Sequence, residues 1–477
     1  MFLSSLPLRH QQFLQKIATA AIVLSLVQRG DNNPSVKKGE KASLPSFLSF
    51  CLLPSAFCLL ALTGCSFGSF TGEAKTPQIE LPEITIPTAI SSPSLPKGID
   101  NQELLEESWE VYREQFIQED GRVIDYEAQD RSISEGQAYA MLRAVLMGDE
   151  RTFVLTLDWA EKNLQRLDAD GKRIDNLWAW KWGQKGDGKW EPIDFNFASD
   201  ADIDAATALI WAYRRWNRSE YLDLALIKLQ DIWQYSTVMV GANGKVKEDD
   251  TKGLLNWGTR YLLPGPVEAF VPSSSTIHLN PSYFAPYAFR LFAQVDSNHD
   301  WLSLVKSSYE VLEKSTQAST VGLPSDWIAL ETKTGQLRPL PADSPIKSVY
   351  SFDAYRVWWR IAWDAAWFDA PEAQRYLSSA TKHLQQQWDS SSFIPARINL
   401  QGQATVEYDA TSQYAMLYPA FRLLSPDTAE QMLQEKILPQ YNQGVWDDKS
   451  AYYTQNLAWL GIMPFSVVDP QLLQSDL

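Results

Sequence analysis

The sequence predicts an all-α domain, an α/α barrel of about twelve helices in inner and outer rings. Two observations carry that prediction. From residue 100 onward apolar residues recur at three-and-four spacing, the helical period, while alternating β-branched runs are scarce. The segments also fall into two alternating sets. One set is rich in Ala and aromatic residues with few charges beyond its first turn, as in Glu135–Met141, Asp202–Leu209 and Ala451–Trp459. The other is amphipathic, as in 151–166 and 371–388. Helices apolar nearly all round are buried and amphipathic ones face solvent, hence two rings. A solenoid of helical hairpins would show the same pairing, so the pattern leaves closure open.

The first 65 residues stand apart from that domain. An apolar run from Phe47 to Leu62 follows Lys37, Lys38 and Lys41 and is interrupted by Pro54. It is short of the ~20 residues that span a bilayer, and its layout is that of a secretory signal. Leu62-Thr63-Gly64-Cys65 resembles a bacterial lipobox, which makes Cys65 the lipidation site and the domain an exported one, held by lipid in the periplasm or at the cell surface. A plain signal peptide or a membrane anchor is the alternative. Residues 66–98 hold five prolines among many Ser, Thr and Gly, and read as a linker; the ordered domain is expected over 99–477.

Within the domain the helical spacing marks 101–117, 134–147, 151–166, 201–216, 219–235, 281–294, 299–315, 353–368, 371–388, 410–424, 427–437 and 450–461. Ser236–Gly241 is the best candidate for a short strand. The stretches 167–198, 236–280 and 316–350 are too long for simple connections, and long loops in a compact domain usually carry function.

Composition narrows the chemistry. The 477 residues include 42 basic and 58 acidic side chains, a net of −16; beyond Gly64 the balance is 36 against 56, a net of −20. That excludes a basic nucleic-acid footprint. All three cysteines, Cys51, Cys58 and Cys65, precede the domain, so it has neither a disulfide framework nor a thiolate metal site. His278, His299 and His383 are never four apart, no G-x-S-x-G elbow or phosphate-binding glycine loop is present, and no metal or cofactor is expected. Glu248-Asp249-Asp250 reads as a solvated acidic turn. With 19 Trp, 19 Tyr and 20 Phe, the chain has either a very large core or flat apolar surfaces on which something stacks.

Inner segments open with polar or acidic residues: Ser134-Glu135, Ser199-Asp200 with Asp202, Asn280-Pro-Ser-Tyr283, Phe352-Asp353 and Tyr408-Asp409. Acids in a first turn suit the helix dipole, and Ser199 with Asp202 is nearly a capping box, which is the plain explanation for each helix alone. Repetition across the inner set points instead to carboxylates gathered at one rim, where mutual repulsion is usually retained for chemistry. Carboxylates beside tryptophans suit glycoside hydrolysis, which needs one acid to protonate the leaving oxygen and a second to activate water or attack the sugar. The loop Asn176–Trp190 carries Trp178, Trp180, Trp182 and Trp190 and is expected to form the sugar platform; the alternative is a loop pinned by buried aromatics.

Ser134-Glu-Gly-Gln-Ala-Tyr-Ala-Met141, Leu177–Gly183, Ala198-Ser-Asp-Ala-Asp202, Asn280-Pro-Ser-Tyr283 and Phe352-Asp-Ala-Tyr-Arg356, in that order, resemble glycoside hydrolase family 8, especially its bacterial cellulose-synthesis endoglucanase branch. The resemblance runs from about 105 to 465. It implies an (α/α)6 barrel and an inverting endo-β-1,4-glucanase, a monomer acting on a β-1,4-linked polysaccharide beside a polysaccharide synthase or export complex. It further implies Glu135 as proton donor, Asp353 as base, Asp200 holding the sugar at the cleavage point, Arg356 orienting base or water, and Asp202, Trp178, Trp180, Trp182 and Tyr283 binding substrate. Glu135 is then expected to hold its proton near neutral pH. Phe352 stands where the family often has an aromatic hydroxyl, which Tyr350 would have to supply. Chitosanase or xylanase action keeps the chemistry and changes the polymer; a non-catalytic glucan-binding lipoprotein would have no need of the acid pair.

Overall fold

The computed structural model describes residues 101–247 and 258–474. The signal segment 1–65 with Cys65, the linker 66–98 and the acidic run 248–250 lie outside the described residues.

Thirteen helices carry the architecture: α1 (Asn101–Phe116), α2 (Ser134–Met147), α3 (Glu150–Asn163), α4 (Ser199–Trp216), α5 (Ser219–Tyr235), α6 (Pro286–Val295), α7 (Trp301–Ala318), α8 (Tyr355–Phe368), α9 (Pro371–Ala380), α10 (Lys382–Ser391), α11 (Thr411–Leu424), α12 (Pro426–Met432) and α13 (Tyr452–Ile462). Helices α2, α4, α6, α8, α11 and α13 each pack on the next, and α13 returns to α2. The ring is therefore closed, and the solenoid is excluded. Outside it α3 covers α2, α5 covers α4, α7 covers α6, α9 covers α8, α12 covers α11 and α1 covers α13, an (α/α)6 barrel.

Sequence sets the rings. In α4 every residue from Ser199 to Ala212 is buried, and in α2 every residue from Ser134 to Leu146. Outer α3 buries only Thr152, Phe153, Thr156, Leu157, Trp159 and Ala160, a single stripe. Small residues let inner helices approach closely: a Cβ on Gly461 of α13 would lie 2.0 Å from the Ala415 carbonyl oxygen of α11. Much of the tryptophan fills the barrel. Trp359 meets Trp363 edge-on at 4.7 Å, and Trp363 meets Trp367 at 4.3 Å.

Three differences from the expected segments have local causes. Helix α6 begins at Pro286, because proline fits a first helical position, while Pro281–Tyr283 forms a separate 3-10 turn. The segment 371–388 divides at Thr381 into α9 and α10. The three long loops are built of strands. Ser132–Ile133 pairs with Lys181–Gln184, which pairs with Trp190–Asp194. Thr237–Gly241, close to the one expected strand, lies between Val246–Lys247 and Gly258–Leu262. Ile328–Glu331 joins Gln336–Arg338 to Thr276–Leu279, tying two of the long loops together.

Candidate active site

The site is organised around one guanidinium. Arg356 lies in the first turn of α8. Its Nη1 donates to Glu135, the second residue of α2, and to Asp200 Oδ2, on the second residue of α4, at 3.3 Å. Its Nη2 donates to Asp353 Oδ1 at 2.8 Å and to Ser282 Oγ, in the turn before α6, at 3.0 Å. Tyr452, the first residue of α13, places its hydroxyl 3.4 Å from Glu135 Oε1. The N-terminal ends of five inner helices thus meet at one place. Asn280 Nδ2 donates to Asp353 Oδ2 at 3.2 Å, so both oxygens of that carboxylate are held.

The acids do not act from the N-cap positions of their helices, although Asp200 Oδ1 accepts the N–H of Ala201 at 3.0 Å. Neither α2 nor α4 has a side-chain cap, and Ser199 donates to the Leu263 carbonyl at 2.6 Å instead of completing a capping box with Asp202. Glu135 and Asp200 are each 1% exposed, whereas Asp353 keeps 21% of its side chain open. Burial opposes the charge on Arg356, but Glu135 and Asp353 outweigh it and hold its pKa well above the usual value. A second pair lies behind this one: Arg360 of α8 grips Asp204 of α4 through two bonds of 2.7 and 2.8 Å.

Several residues expected to bind sugar are structural. Trp178 is fully buried, its Nε1–H bonded to Glu161 at 2.8 Å and its ring 4.2 Å from Lys228 Nζ. Trp180 is buried as well. Trp182 is wedged between the edge of Trp159 at 5.3 Å and the face of Trp190 at 5.0 Å, with the Arg122 guanidinium 4.4 Å from its centroid. All three pin the loop to the barrel, and no ring face is left on which a sugar could stack. Trp190, 41% exposed, is the tryptophan of this loop that remains open. Tyr283 is buried beneath Arg356, 5.5 Å from its guanidinium carbon, and backs the arginine. Tyr350 is fully buried and accepts from Trp358 Nε1 at 3.0 Å, so it brings no hydroxyl to Asp353; Tyr453 donates to the Phe352 carbonyl at 2.6 Å.

Asp202 is also internal. Its Oδ1 accepts the Trp178 backbone N–H at 3.1 Å, and burial lifts its pKa from 3.8 to about 8 against the pull of Lys228. The folded chain therefore keeps this proton to about pH 8, while the unfolded chain loses it near 3.8. Folding stability from this group falls as pH rises across that window. Asp202→Asn is expected to shrink the difference between urea-unfolding midpoints measured at about pH 5 and about pH 8; an unchanged difference would show that Asp202 ionises normally.

Sequence reading missed Asn280, Ser282, Tyr452, Tyr453 and Asp326. The first two lie in the motif Asn280-Pro-Ser-Tyr283, three and one positions before its tyrosine. Asp326 sits in a loop with no periodicity to mark it, and its carboxylate accepts from the backbone on both sides of Asp353.

Comparison with known proteins agrees with this geometry. The family described as Glycosyl hydrolases family 8 matches residues 90–416. An endoglucanase of Escherichia coli (strain K12) is 32% identical over 252 residues, 53% of this chain and 60% of that protein. An endoglucanase of Xanthomonas axonopodis pv. citri (strain 306) is 34% identical over 251 residues, 52% of this chain and 58% of that protein. The chain thus spans 60% or less of the length of these two relatives. The crystal structure of endo-1,4-D-glucanase from Vibrio fischeri ES114 aligns with a TM-score of 0.59 at 26% identity, covering 74% of this chain and 93% of that one. An endo-beta-1,4-glucanase from Acetobacter xylinum aligns with a TM-score of 0.56 at 22% identity, covering 76% and 97%, and shares the fold. On closed ring, ordered motifs and family match together, the chain belongs to glycoside hydrolase family 8.

Proposed function

We propose that the chain hydrolyses internal bonds of a β-1,4-glucan with inversion, Glu135 acting as acid and Asp353 as base. The observation that carries this reading is that Arg356 bridges these two carboxylates, from residues 218 positions apart, at the mouth of the barrel. In the reaction Glu135 gives its proton to the leaving oxygen. Asp353, the more open of the pair, draws a proton from water as that water attacks the opposite face of the sugar. Inverting pairs stand about 6.5–9.5 Å apart to leave room for the water, and here the two acids are held by different nitrogens of one guanidinium. Three carboxylates, Glu135, Asp200 and Asp353, meet this one guanidinium. On this reading Asp200, beside Glu135 on the same guanidinium, bonds a sugar hydroxyl at the cleavage point. The relatives named above are endoglucanases, which favours glucan over chitosan or xylan.

Reducing-end release from carboxymethylcellulose, mixed-linkage glucan, chitosan and xylan tests the substrate. The reading expects the β-1,4-glucans to be cut fastest; preference for chitosan or xylan would replace the polymer, and binding without turnover of any of them would leave a glucan-binding protein.

Trp190, 41% exposed, is the remaining candidate for the sugar platform, though its ring stacks on Trp182 at 5.0 Å and the Arg122 guanidinium lies 4.6 Å from its centroid. Its strand, Trp190–Asp194, is one edge of the sheet whose other edge, Ser132–Ile133, runs directly into Glu135. An aromatic contact is worth about 0.5–1.5 kcal/mol. Trp190→Ala is therefore expected to raise KM for long chains by about 3–10-fold with kcat unchanged. An unchanged KM would remove Trp190 from the binding surface.

A further inference from the structure

The turn that carries Asp353 is held from outside the helical rings. Helix α8 has no side-chain cap of its own. Asp353 has the side chain chemically suited to cap it, but its two oxygens are taken by Arg356 and Asn280. The turn leading into the helix is held instead by Asp326, in the loop between α7 and the strand Ile328–Glu331. A single oxygen, Asp326 Oδ1, accepts the backbone N–H of Ser351 at 3.0 Å and of Ala354 at 2.9 Å. These residues bracket Asp353. Asp326 is itself fixed, its backbone N–H bonded to the Val349 carbonyl at 2.7 Å and its side chain buried.

We propose that Asp326 is a positioning residue for the base: it bonds the backbone on both sides of Asp353, at Ser351 and Ala354, and so fixes the turn from which the Asp353 carboxylate faces Arg356, Asn280 and the attacking water. This rests on the reading of Asp353 as base. Burial and then the charge of Asp353 push the Asp326 carboxyl up from 3.8 to about 8. The titratable groups around Asp326 are Asp353, Tyr350 and Tyr355, with the guanidiniums of Arg356 and Arg397 beyond them. An asparagine at 326 would present an acceptor oxygen with no group to ionise; an alanine would present no acceptor.

The test compares wild type, Asp326→Asn and Asp326→Ala for kcat, KM and thermal midpoint on soluble β-1,4-glucan. A displacement of about 1 Å at a reacting group can cost about 100-fold in rate. Asp326→Ala is expected to lose kcat on that scale with KM unchanged, and Asp326→Asn to recover kcat to within about threefold of wild type. A role confined to folding would lower the thermal midpoint and the active fraction while leaving kcat per folded molecule intact, and that result overturns the proposal. So does an asparagine variant as slow as the alanine one. Should Asp326→Ala not fold, Asp326→Glu replaces it: the longer arm misplaces the acceptor, so kcat below that of Asp326→Asn is expected, and equal rates overturn the proposal. An inert wild type counts against the proposed function, and the inference falls with it; an active wild type matched by Asp326→Ala sinks the inference alone.

Discussion

Glu135→Gln is expected to lower kcat on soluble β-1,4-glucan by about 10²–10⁴-fold, the usual contribution of a general acid, while the protein stays folded. The amide is nearly isosteric with the acid: its one carbonyl oxygen can still accept from Arg356, and its NH2 then stands where Oε1 met the Tyr452 hydroxyl, which can accept from it. What it lacks is a proton acidic enough to give to the leaving oxygen. The charge balance tolerates the change, because Asp200 and Asp353 still face the guanidinium. A viscosity assay run beside a thermal melt separates the two effects. Loss of cutting with an unchanged melt supports Glu135 as acid; wild-type loss of viscosity in the variant would remove it from the chemistry.

Arg356→Lys is expected to damage stability and activity together. The charge is kept, but a compact ammonium cannot reach Glu135, Asp200, Asp353 and Ser282 at once as the planar fork does. Glu135 and Asp200 would be left buried with imperfect pairing, and breaking a buried ion pair costs about 3–5 kcal/mol. A clear fall in the urea midpoint together with a loss of kcat is the expected outcome. A lysine variant that melts and turns over like wild type would mean the guanidinium does not organise the cluster.

Glu135, Asp200 and Asp353 stand out in the sequence because the inner helices announce themselves, whereas Arg356 is marked only by the family resemblance. A run such as Ser199–Ala212 is apolar nearly all round, so the acids at its start stand out against it. Ring closure was not legible, because helical hairpins look alike whether or not the last meets the first; only the contact of α13 with α2 decides it. The tryptophan loop misled for a physical reason. Trp178 and Trp182 lie on strands, and in a short strand an aromatic residue reads the same whether its face packs on the barrel or opens to solvent. Composition raised the number of aromatics, and burial assigned most of them to the interior. Asp202 sits two residues from Asp200, but a side chain two positions along a helix points to a different side, and there it meets the Trp178 backbone. Asp326 acts from a loop 27 residues before Asp353, at a separation no local pattern encodes.

The claim on which the mechanism depends is that a water molecule, guided by Asp353, attacks opposite the oxygen protonated by Glu135. Proton NMR of the first sugar ends released from a soluble β-1,4-glucan, read before mutarotation, tests it directly. Inversion predicts that the α-anomer appears first and the β-anomer grows in later. If the β-anomer appears first, one carboxylate must have attacked the sugar itself, and the assignment of Asp353 as a base acting through water is contradicted.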